Sequence, residues 1–177
     1  MNKKPYVSVV IPVFNAEEYL CQCLESVINQ TLKEIEIICI DDKSTDSSLD
    51  ILEKYAKKDK RITIIRNELN LKAGESRNRG LRIASGEYIH FLDADDYMVN
   101  DAYEVLYNKA KSYDLDLLKA KAYGIDDTTL EPLNNPLYHL SNLDENDFNT
   151  VTNFFENLKN LQEYQLLLGT ESIKEFF

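Results

Sequence analysis

Two aspartates separated by one residue, in Asp93-Ala94-Asp95, have the type and spacing of a metal site. Alternate side chains of an extended segment lie on the same side of it, so both carboxylates can approach one ligand. Mg²⁺ and Mn²⁺ prefer such oxygen ligands and fill their remaining positions with water and substrate phosphates. Asp96 adds a third carboxylate. The pattern predicts a divalent-metal and phosphate site, with solvated or helix-capping aspartates as the structural alternative.

Asp42 is a second candidate, at the end of an apolar segment and directly before Lys43. An acidic residue at this point of a dinucleotide-binding α/β fold accepts a ligand hydrogen bond. Here it could accept a base N–H or a ribose hydroxyl. The alternative is a turn and helix cap, which Ser44, Thr45 and Asp46 also supply. No Gly-x-Gly-x-x-Gly follows the first strand, which disfavours a nicotinamide cofactor.

Three further residues have suitable chemistry and equally ordinary structural explanations. Phe14 could stack on a nucleobase or lie in the core. Arg77 belongs to a basic patch with Arg79 and Arg82, and is near enough to the start of its helix to reach the same edge of the sheet. His90 alternates with apolar residues in a strand, which favours packing over catalysis.

Alternating strands and helices would position these residues together. Apolar β-branched runs predict strands at 6–13, 36–40, 62–65, 87–92 and 115–123, and helical spacing predicts helices at 16–29, 49–56, 75–85 and from residue 101. Such alternation predicts an α/β fold with a doubly wound, mainly parallel sheet flanked by helices. Ligands of these sheets bind beyond the carboxyl ends of the strands, where the polar clusters at 12–17, 41–42 and 93–96 fall.

Local signals predict where the helices begin and end. Asn15 with Glu18 three residues later predicts a capping box for the first helix. Gly86 predicts a left-handed C-cap after the third. Beyond the fifth strand we expect a loop at 124–150 and helices at 151–161 and 171–177, which divides the chain into a core at 1–123 and a C-terminal segment at 124–177.

Composition limits the partners. The net charge is −11 over 177 residues, without a basic stripe, which argues against nucleic acid as a partner. An anionic diphosphate ligand would therefore need a divalent metal to neutralise it. No apolar run reaches the roughly 18 residues that span a bilayer, and residues 1–5 do not resemble the start of a signal peptide. We expect a cytoplasmic protein, and peripheral attachment to the inner face of the membrane stays open.

Three blocks resemble the N-terminal signature of family 2 glycosyltransferases: VSVVIPVFNAEEYLCQCLESVINQT, IICIDDKSTDSS and AGESRNRGLRIASGEYIHFLDADD. The resemblance covers residues 5–123 and implies a Rossmann-like GT-A fold. It also implies a nucleotide-diphosphate sugar donor, with a UDP-sugar favoured, and Mn²⁺ or Mg²⁺ as cofactor. The implied reaction is inverting transfer to a glycan or lipid-linked acceptor hydroxyl in bacterial surface polysaccharide or glycan synthesis. The segment at 124–177 would then be an incomplete acceptor region.

The resemblance assigns donor binding to residues that follow the strands. The nucleotide would contact Pro12, Val13, Phe14, Asn15, Glu17, Asp42, Arg77, Asp93 and Ala94. Phe14 would stack on the base and Asp42 would accept its ring N–H. Asp95 would be the principal metal ligand, with Asp93 touching ribose or metal.

Two departures from the family pattern qualify the interpretation. Lys43 stands where the family commonly has glycine. The family's catalytic base, an acidic residue in a later motif, has no convincing match in 124–177, so the catalytic residue stays unassigned. The apolar end at 172–177 predicts either a homodimer through this segment or its return over the sheet.

Two alternative functions remain open from the sequence. A sugar nucleotidyltransferase would need a glycine-rich, basic loop where Asn15-Ala16-Glu17-Glu18 stands. A non-catalytic module derived from the same fold would bind a nucleotide or a partner protein without turnover.

Overall fold

Strands and helices alternate from Val7 onward in the computed structural model, which describes residues 4–120 and 165–169. The strands are β1 (Val7–Val13), β2 (Ile35–Asp41), β3 (Ile62–Arg66), β4 (Tyr88–Phe91), β5 (Leu117–Ala120) and β6 (Gln165–Gly169). The helices are α1 (Leu20–Ile28), α2 (Ser48–Lys58), α3 (Lys72–Ile83) and α4 (Ala102–Ser112). The five predicted strands and the first four predicted helices are confirmed. The sequence did not predict β6, and the helices expected at 151–161 and 171–177 lie outside the described residues.

The described strands form one sheet in the order β3-β2-β1-β4-β6-β5. β1 runs parallel to β2 and β4, and β2 runs parallel to β3, whereas β6 is antiparallel to β4. The chain moves outward from β1 to β3 and then returns to the other side of β1 to form β4. This reversal creates a switch point between β1 and β4, where ligands of such sheets bind. The doubly wound, mainly parallel sheet is therefore confirmed.

The central strand β1 is buried along its whole length, which explains its unbroken apolar sequence. Its residues at odd positions share a hydrophobic cluster with residues of α1, α2 and α4, including Leu24, Leu52 and Tyr103. His90 of β4 is also buried, with Nδ1 2.8 Å from the Tyr103 hydroxyl. The interpretation of His90 as a packed residue is confirmed. None of the helices in the described residues is long and apolar enough to cross a membrane.

Helix α3 covers the opposite face of the sheet at very short range. A Cβ added at Gly80 would lie 2.3 Å from Cγ1 of Val10 and 3.0 Å from Cδ1 of Ile40. Only glycine therefore permits this approach of helix to sheet. The contact fixes α3 against β1 and β2, and so fixes where the side chains near its N-terminus lie.

The predicted capping box at Asn15 is wrong. Helix α1 begins at Leu20, and no side-chain hydrogen bond is formed at its N-cap, Tyr19, in the described part of the chain. Asn15 adopts a left-handed φ of 49°, and its Oδ1 accepts the Thr45 N–H at 2.8 Å. The sequence predicted a backbone N–H of α1 as the partner of the Asn15 side chain. A backbone N–H of the loop after β2 takes that place.

The predicted left-handed cap at Gly86 is also wrong, since α3 ends at Ile83 and no glycine in the described residues has a positive φ. Gly86 is required for a different reason. Its N–H donates to Ser8 Oγ at 2.8 Å, and a Cβ there would lie 2.6 Å from the Ser8 nitrogen. A close approach to β1, invisible to local sequence, explains this glycine.

Candidate functional site

The candidate site lies at the carboxyl edge of the sheet, where the segments that follow β1, β2, β3 and β4 come together. The Asp42 N–H donates to the Val13 carbonyl at 2.8 Å, and the Asn67 N–H donates to the Asp41 carbonyl at 2.8 Å. The Leu92 N–H likewise donates to β1, at the Val10 carbonyl. These bonds extend the parallel pairing to the ends of the strands. The polar clusters predicted from the sequence therefore share one edge, which we call the rim.

The loops after β1 and β2 are held together by reciprocal hydrogen bonds. Glu17 N–H donates to Asp46 Oδ2 at 3.0 Å, and Ser47 N–H donates back to Glu17 Oε2 at 2.9 Å. The bond from Thr45 N–H to Asn15 adds a further crosslink. Asn15 and Glu17, both predicted to stand behind the nucleotide, thus fix the shape of the rim loops.

Phe14 lies at the rim with 48% of its surface exposed, which rules out the interpretation as a core residue. Pro12 and Val13, predicted to line the same pocket, are buried in β1. Of these three consecutive residues, Phe14 alone presents its side chain to solvent. An exposed aromatic ring next to a polar edge is suited to stacking on a planar ligand.

Asp42 is only 2% exposed, and its carboxylate is held by the segment that leads into α3. Oδ1 accepts from Asn67 Nδ2 at 2.7 Å and from the Leu71 N–H at 2.8 Å. Oδ2 accepts the Lys72 N–H at 2.7 Å, and a carboxylate oxygen has room for a second donor. Burial by itself raises the pKa of Asp42, but the hydrogen bonds from Asn67, Leu71 and Lys72 outweigh it and lower the pKa. Asp42 is therefore an ionised hydrogen-bond acceptor. It caps the N-terminus of α3, whereas the sequence suggested a cap for the turn after β2.

Asn67 is a site residue that the sequence reasoning missed. It is 4% exposed, and its Nδ2 donates both to Asp42 and to Ser76 Oγ, the latter at 3.0 Å. Its Oδ1 accepts from Arg79 Nη1 at 2.8 Å. The available signal was position, because Asn67 follows β3 just as Asp42 follows β2. Asn67 joins α3 to Asp42 through hydrogen bonds alone.

Arg77 and Asp93, both predicted to approach the nucleotide, form an ion pair at the rim. Arg77 Nη2 lies 2.5 Å from Asp93 Oδ1, and the side chains are 34% and 50% exposed. The pair connects α3 to the segment after β4, on either side of β1. Because the Arg77 side chain is about one third exposed, its guanidinium can exchange this carboxylate for a phosphate, since both fit its donor fork.

Asp93 and Asp95 are exposed and Ala94 is buried between them, but the segment is a turn, in which the Asp96 N–H donates to the Asp93 carbonyl at 3.1 Å, and not the extended segment expected from the sequence. In the part of the chain that the structure describes, no group of three His, Cys, Asp or Glu residues is arranged to hold a metal ion. Mg²⁺ is commonly bound by one or two carboxylates together with substrate phosphates. Asp93 and Asp95 are exposed carboxylates of this segment that could take part in such a site.

Cys23 lies beneath the same segment, with its Sγ 3.6 Å from the Asp93 carbonyl oxygen. Burial raises the pKa of this thiol well above its usual range, and the carboxylates of Asp93, Asp95 and Asp96 raise it further. Cys23 is therefore a buried, protonated thiol that packs beneath the rim.

Comparison with known families gives a match over most of the chain. Residues 8–169 match the family model described as glycosyl transferase family 2. Two curated relatives are a poly(ribitol-phosphate) beta-glucosyltransferase of Bacillus spizizenii, 46% identical over 68% of this chain, and the glycosyltransferase GlyA of Streptococcus pneumoniae, 35% identical over 89%. The chain spans only 19% and 22% of the length of these relatives.

Solved structures of similar fold include TarS of Staphylococcus aureus in complex with UDP, with a TM-score of 0.65 and 32% identity. That similarity covers 68% of this chain and 36% of the solved chain, which is residues 1–349 of TarS. A mannosyltransferase of Pyrobaculum calidifontis, solved with GDP-Man and Mn²⁺, is similar at a TM-score of 0.57 over 72% of this chain and 38% of its own. At 21% identity it shows the fold alone. These similarities confirm the GT-A fold, and this chain belongs to glycosyl transferase family 2.

Proposed function

We propose that the rim binds the nucleotide-diphosphate sugar donor of an inverting glycosyltransferase, with a UDP-sugar as the donor. The observation that carries the proposal is the convergence of four groups on one edge of the sheet. They are an exposed aromatic ring, a buried ionised acceptor, a partly exposed ion pair and an exposed carboxylate: Phe14, Asp42, Arg77 with Asp93, and Asp95. Solved relatives that hold UDP, UDP-GlcNAc and GDP-Man support a donor of this class.

The base end of the donor would lie between Phe14 and Asp42. Phe14 offers its ring for stacking, since 48% of its surface is exposed. The ionised Asp42 carboxylate can accept a ring N–H at Oδ2, next to the Lys72 N–H. Asn67 and the N-terminus of α3 hold this acceptor in place, so little ordering would be needed when the donor binds.

The diphosphate end would lie at the Arg77–Asp93 pair. A protein with a net charge of −11 needs local positive charge to hold a diphosphate, and Arg77 supplies one guanidinium. We propose that Arg77 turns to the phosphates and releases Asp93 to ribose or metal. Asp95, with Asp93, would hold Mn²⁺ or Mg²⁺ against the diphosphate. When bound, the metal would stabilise the charge on the departing diphosphate.

Transfer would be an in-line displacement at the anomeric carbon. The acceptor oxygen forms the new glycosidic bond as the bond to the diphosphate breaks, and a carboxylate base takes the hydroxyl proton. The donor-binding residues above all lie within 1–123, which we propose as the donor-binding unit. We assign acceptor binding and the base to the later part of the enzyme, which acts on a surface glycan or lipid-linked acceptor. We also propose that the protein is cytoplasmic, attached peripherally to the inner face of the membrane, and that it forms a homodimer.

Thermal-shift measurements and a turnover assay test the proposal together. UDP with Mn²⁺ should raise the melting temperature, because a ligand that binds only the folded state stabilises it by mass action. A UDP-release assay with UDP-sugars should show slow or undetectable turnover, because a general base is worth about 10²- to 10⁴-fold in rate. The absence of a shift with any nucleotide diphosphate would exclude donor binding. The non-catalytic module would be favoured if the donor binds both to this chain and to a longer form that includes an acceptor region, and neither protein turns the donor over.

A further inference from the structure

Two lysines at the rim have an unusual backbone conformation. In the described residues, a positive φ outside glycine occurs at Asn15, Lys43, Lys72 and Asp114. Asn and Asp tolerate the left-handed region because their short side chains bond locally, but lysine gains no such compensation. Lys43 has a φ of 63° and Lys72 a φ of 72°. Strain of this kind is concentrated at functional sites, so an observed outlier prompts a search for function.

Both lysines border the carboxylate of Asp42. Lys43 follows Asp42 directly in the chain, and the Lys72 backbone N–H donates to Asp42 Oδ2 at 2.7 Å. The first lysine belongs to the loop after β2 and the second begins α3, so they reach the carboxylate from different elements. Lys43 and Lys72 are therefore both neighbours of Asp42, although they are 29 positions apart in the chain.

The two ammonium groups are uncommitted within the described residues. Both side chains are exposed, and neither has a hydrogen-bond or ion-pair partner in the part of the chain that the structure describes. Arg77 and Arg82 on α3, by contrast, are both paired with carboxylates. Two exposed lysines next to a buried acceptor, in a protein with a net charge of −11, suit a ligand that carries acceptors on both sides of a donor.

We propose that Lys43 and Lys72 are specificity-determining residues that recognise the two carbonyl oxygens of a uracil or thymine base. This inference rests on the proposed donor site. The pyrimidine edge presents a carbonyl acceptor, a ring N–H donor and a second carbonyl acceptor. In the proposed arrangement the Asp42 carboxylate accepts the ring N–H, and each lysine ammonium donates to one of the two carbonyl oxygens. Guanine places an amino donor where one lysine requires an acceptor, and cytosine presents an unprotonated ring nitrogen to the ionised Asp42.

The test is calorimetric titration of the 177-residue chain with UDP and with GDP, both in Mn²⁺. Lys43→Met and Lys72→Met remove the ammonium and retain an unbranched apolar stem. Each should weaken UDP binding about tenfold, as expected for the loss of a charge-assisted hydrogen bond. GDP binding should weaken only about twofold, from the lost charge alone. The control is Lys60→Met. Lys60 is exposed and precedes β3 at the opposite edge of the sheet, so this change should alter neither the UDP affinity nor the GDP affinity.

Glycine variants separate binding from folding. Lys43→Gly and Lys72→Gly remove the strain together with the ammonium, so they should melt about 2 °C higher and still bind UDP more weakly. Asp114→Gly, at a left-handed position after α4, should leave UDP binding unchanged. Lower melting temperatures for both lysine variants would overturn the claim that the strain is retained for binding.

The outcomes distinguish this inference from the proposal on which it rests. A wild-type chain that binds no nucleotide overturns both. A wild-type chain that binds UDP, with unchanged affinity in Lys43→Met and Lys72→Met, overturns the lysine inference alone. Equal losses for UDP and GDP also overturn it, because they would show attraction to the diphosphate and no recognition of the base.

Discussion

Arg77 on α3 and Asp93 after β4 form an ion pair, with Nη2 and Oδ1 2.5 Å apart, across the switch point of the sheet. Exposed pairs of this kind contribute little to folding, typically about 0–1 kcal/mol. The pair therefore holds the Arg77 guanidinium near the place where a diphosphate would lie. Exchange of the Asp93 carboxylate for a phosphate would cost little folding free energy.

Replacement of Arg77 by Met should separate ligand binding from stability. We expect UDP affinity in Mn²⁺ to fall about tenfold or more, because the loss of a charge-assisted hydrogen bond costs about 1.5–3 kcal/mol. The melting temperature without ligand should change little. Arg82→Met, which breaks an exposed pair with Glu75 on the same helix, is the matched control and should leave affinity unchanged. Equal affinity losses in the two variants would show that only the net charge of α3 matters.

Asn67→Ala should destabilise the free protein by about 1–3 kcal/mol, since it removes donors and an acceptor from buried partners. Asp42 Oδ1 and Arg79 Nη1 would each lose a hydrogen bond. Urea unfolding measures the change. Asn70→Ala, in the same loop, should cost much less, because among the described residues its side chain accepts only the Lys72 N–H, at 3.2 Å. Equal costs at the two positions would contradict the role given to the Asn67 network.

The stabilising effect of Asp42 should depend on pH in a defined direction. Its pKa in the folded protein is lowered, so the ionised group stabilises the fold above the unfolded pKa of about 3.9. That stabilisation is lost as the pH falls through the lowered pKa. The difference in unfolding free energy between wild type and Asp42→Asn should therefore be greatest near neutral pH and shrink below about pH 4. A difference in unfolding free energy that grows on acidification would contradict a lowered pKa of Asp42 in the folded protein.

Gly80→Ala should destabilise the protein by about 1–3 kcal/mol, because the new methyl group would clash with Val10 and push α3 away from the sheet. Gly74→Ala on the same helix is the control, with nothing within 4 Å of the added Cβ. That change should stabilise the helix by roughly 0.5–1 kcal/mol. Thermal unfolding of the two variants compares them directly. A neutral Gly80→Ala would show that α3 packs less tightly than the structure indicates.

Periodic, local information made the sheet and its carboxyl edge predictable. The buried strand β1 could be read from its unbroken apolar run, and the position of the aspartates after β4 from the point where an apolar run ends. Contacts between distant segments could not. Asn15 bonds across to Thr45, Gly86 approaches Ser8, and Asn67 bridges Asp42 to α3, all over long sequence separations that no local pattern encodes. The strand β6 was missed for the same reason, because it pairs with β4 far back in the chain.

Calorimetric titration with UDP, in Mn²⁺ and then in excess EDTA, tests the central claim most directly. The account predicts measurable binding in Mn²⁺ that EDTA abolishes, and little or no binding by an Asp95→Asn variant in either condition. Asp50→Asn, an exposed aspartate in the first turn of α2, should behave as wild type. Binding of equal strength with and without metal, or wild-type affinity in Asp95→Asn, would contradict a donor site completed by a divalent ion at the rim.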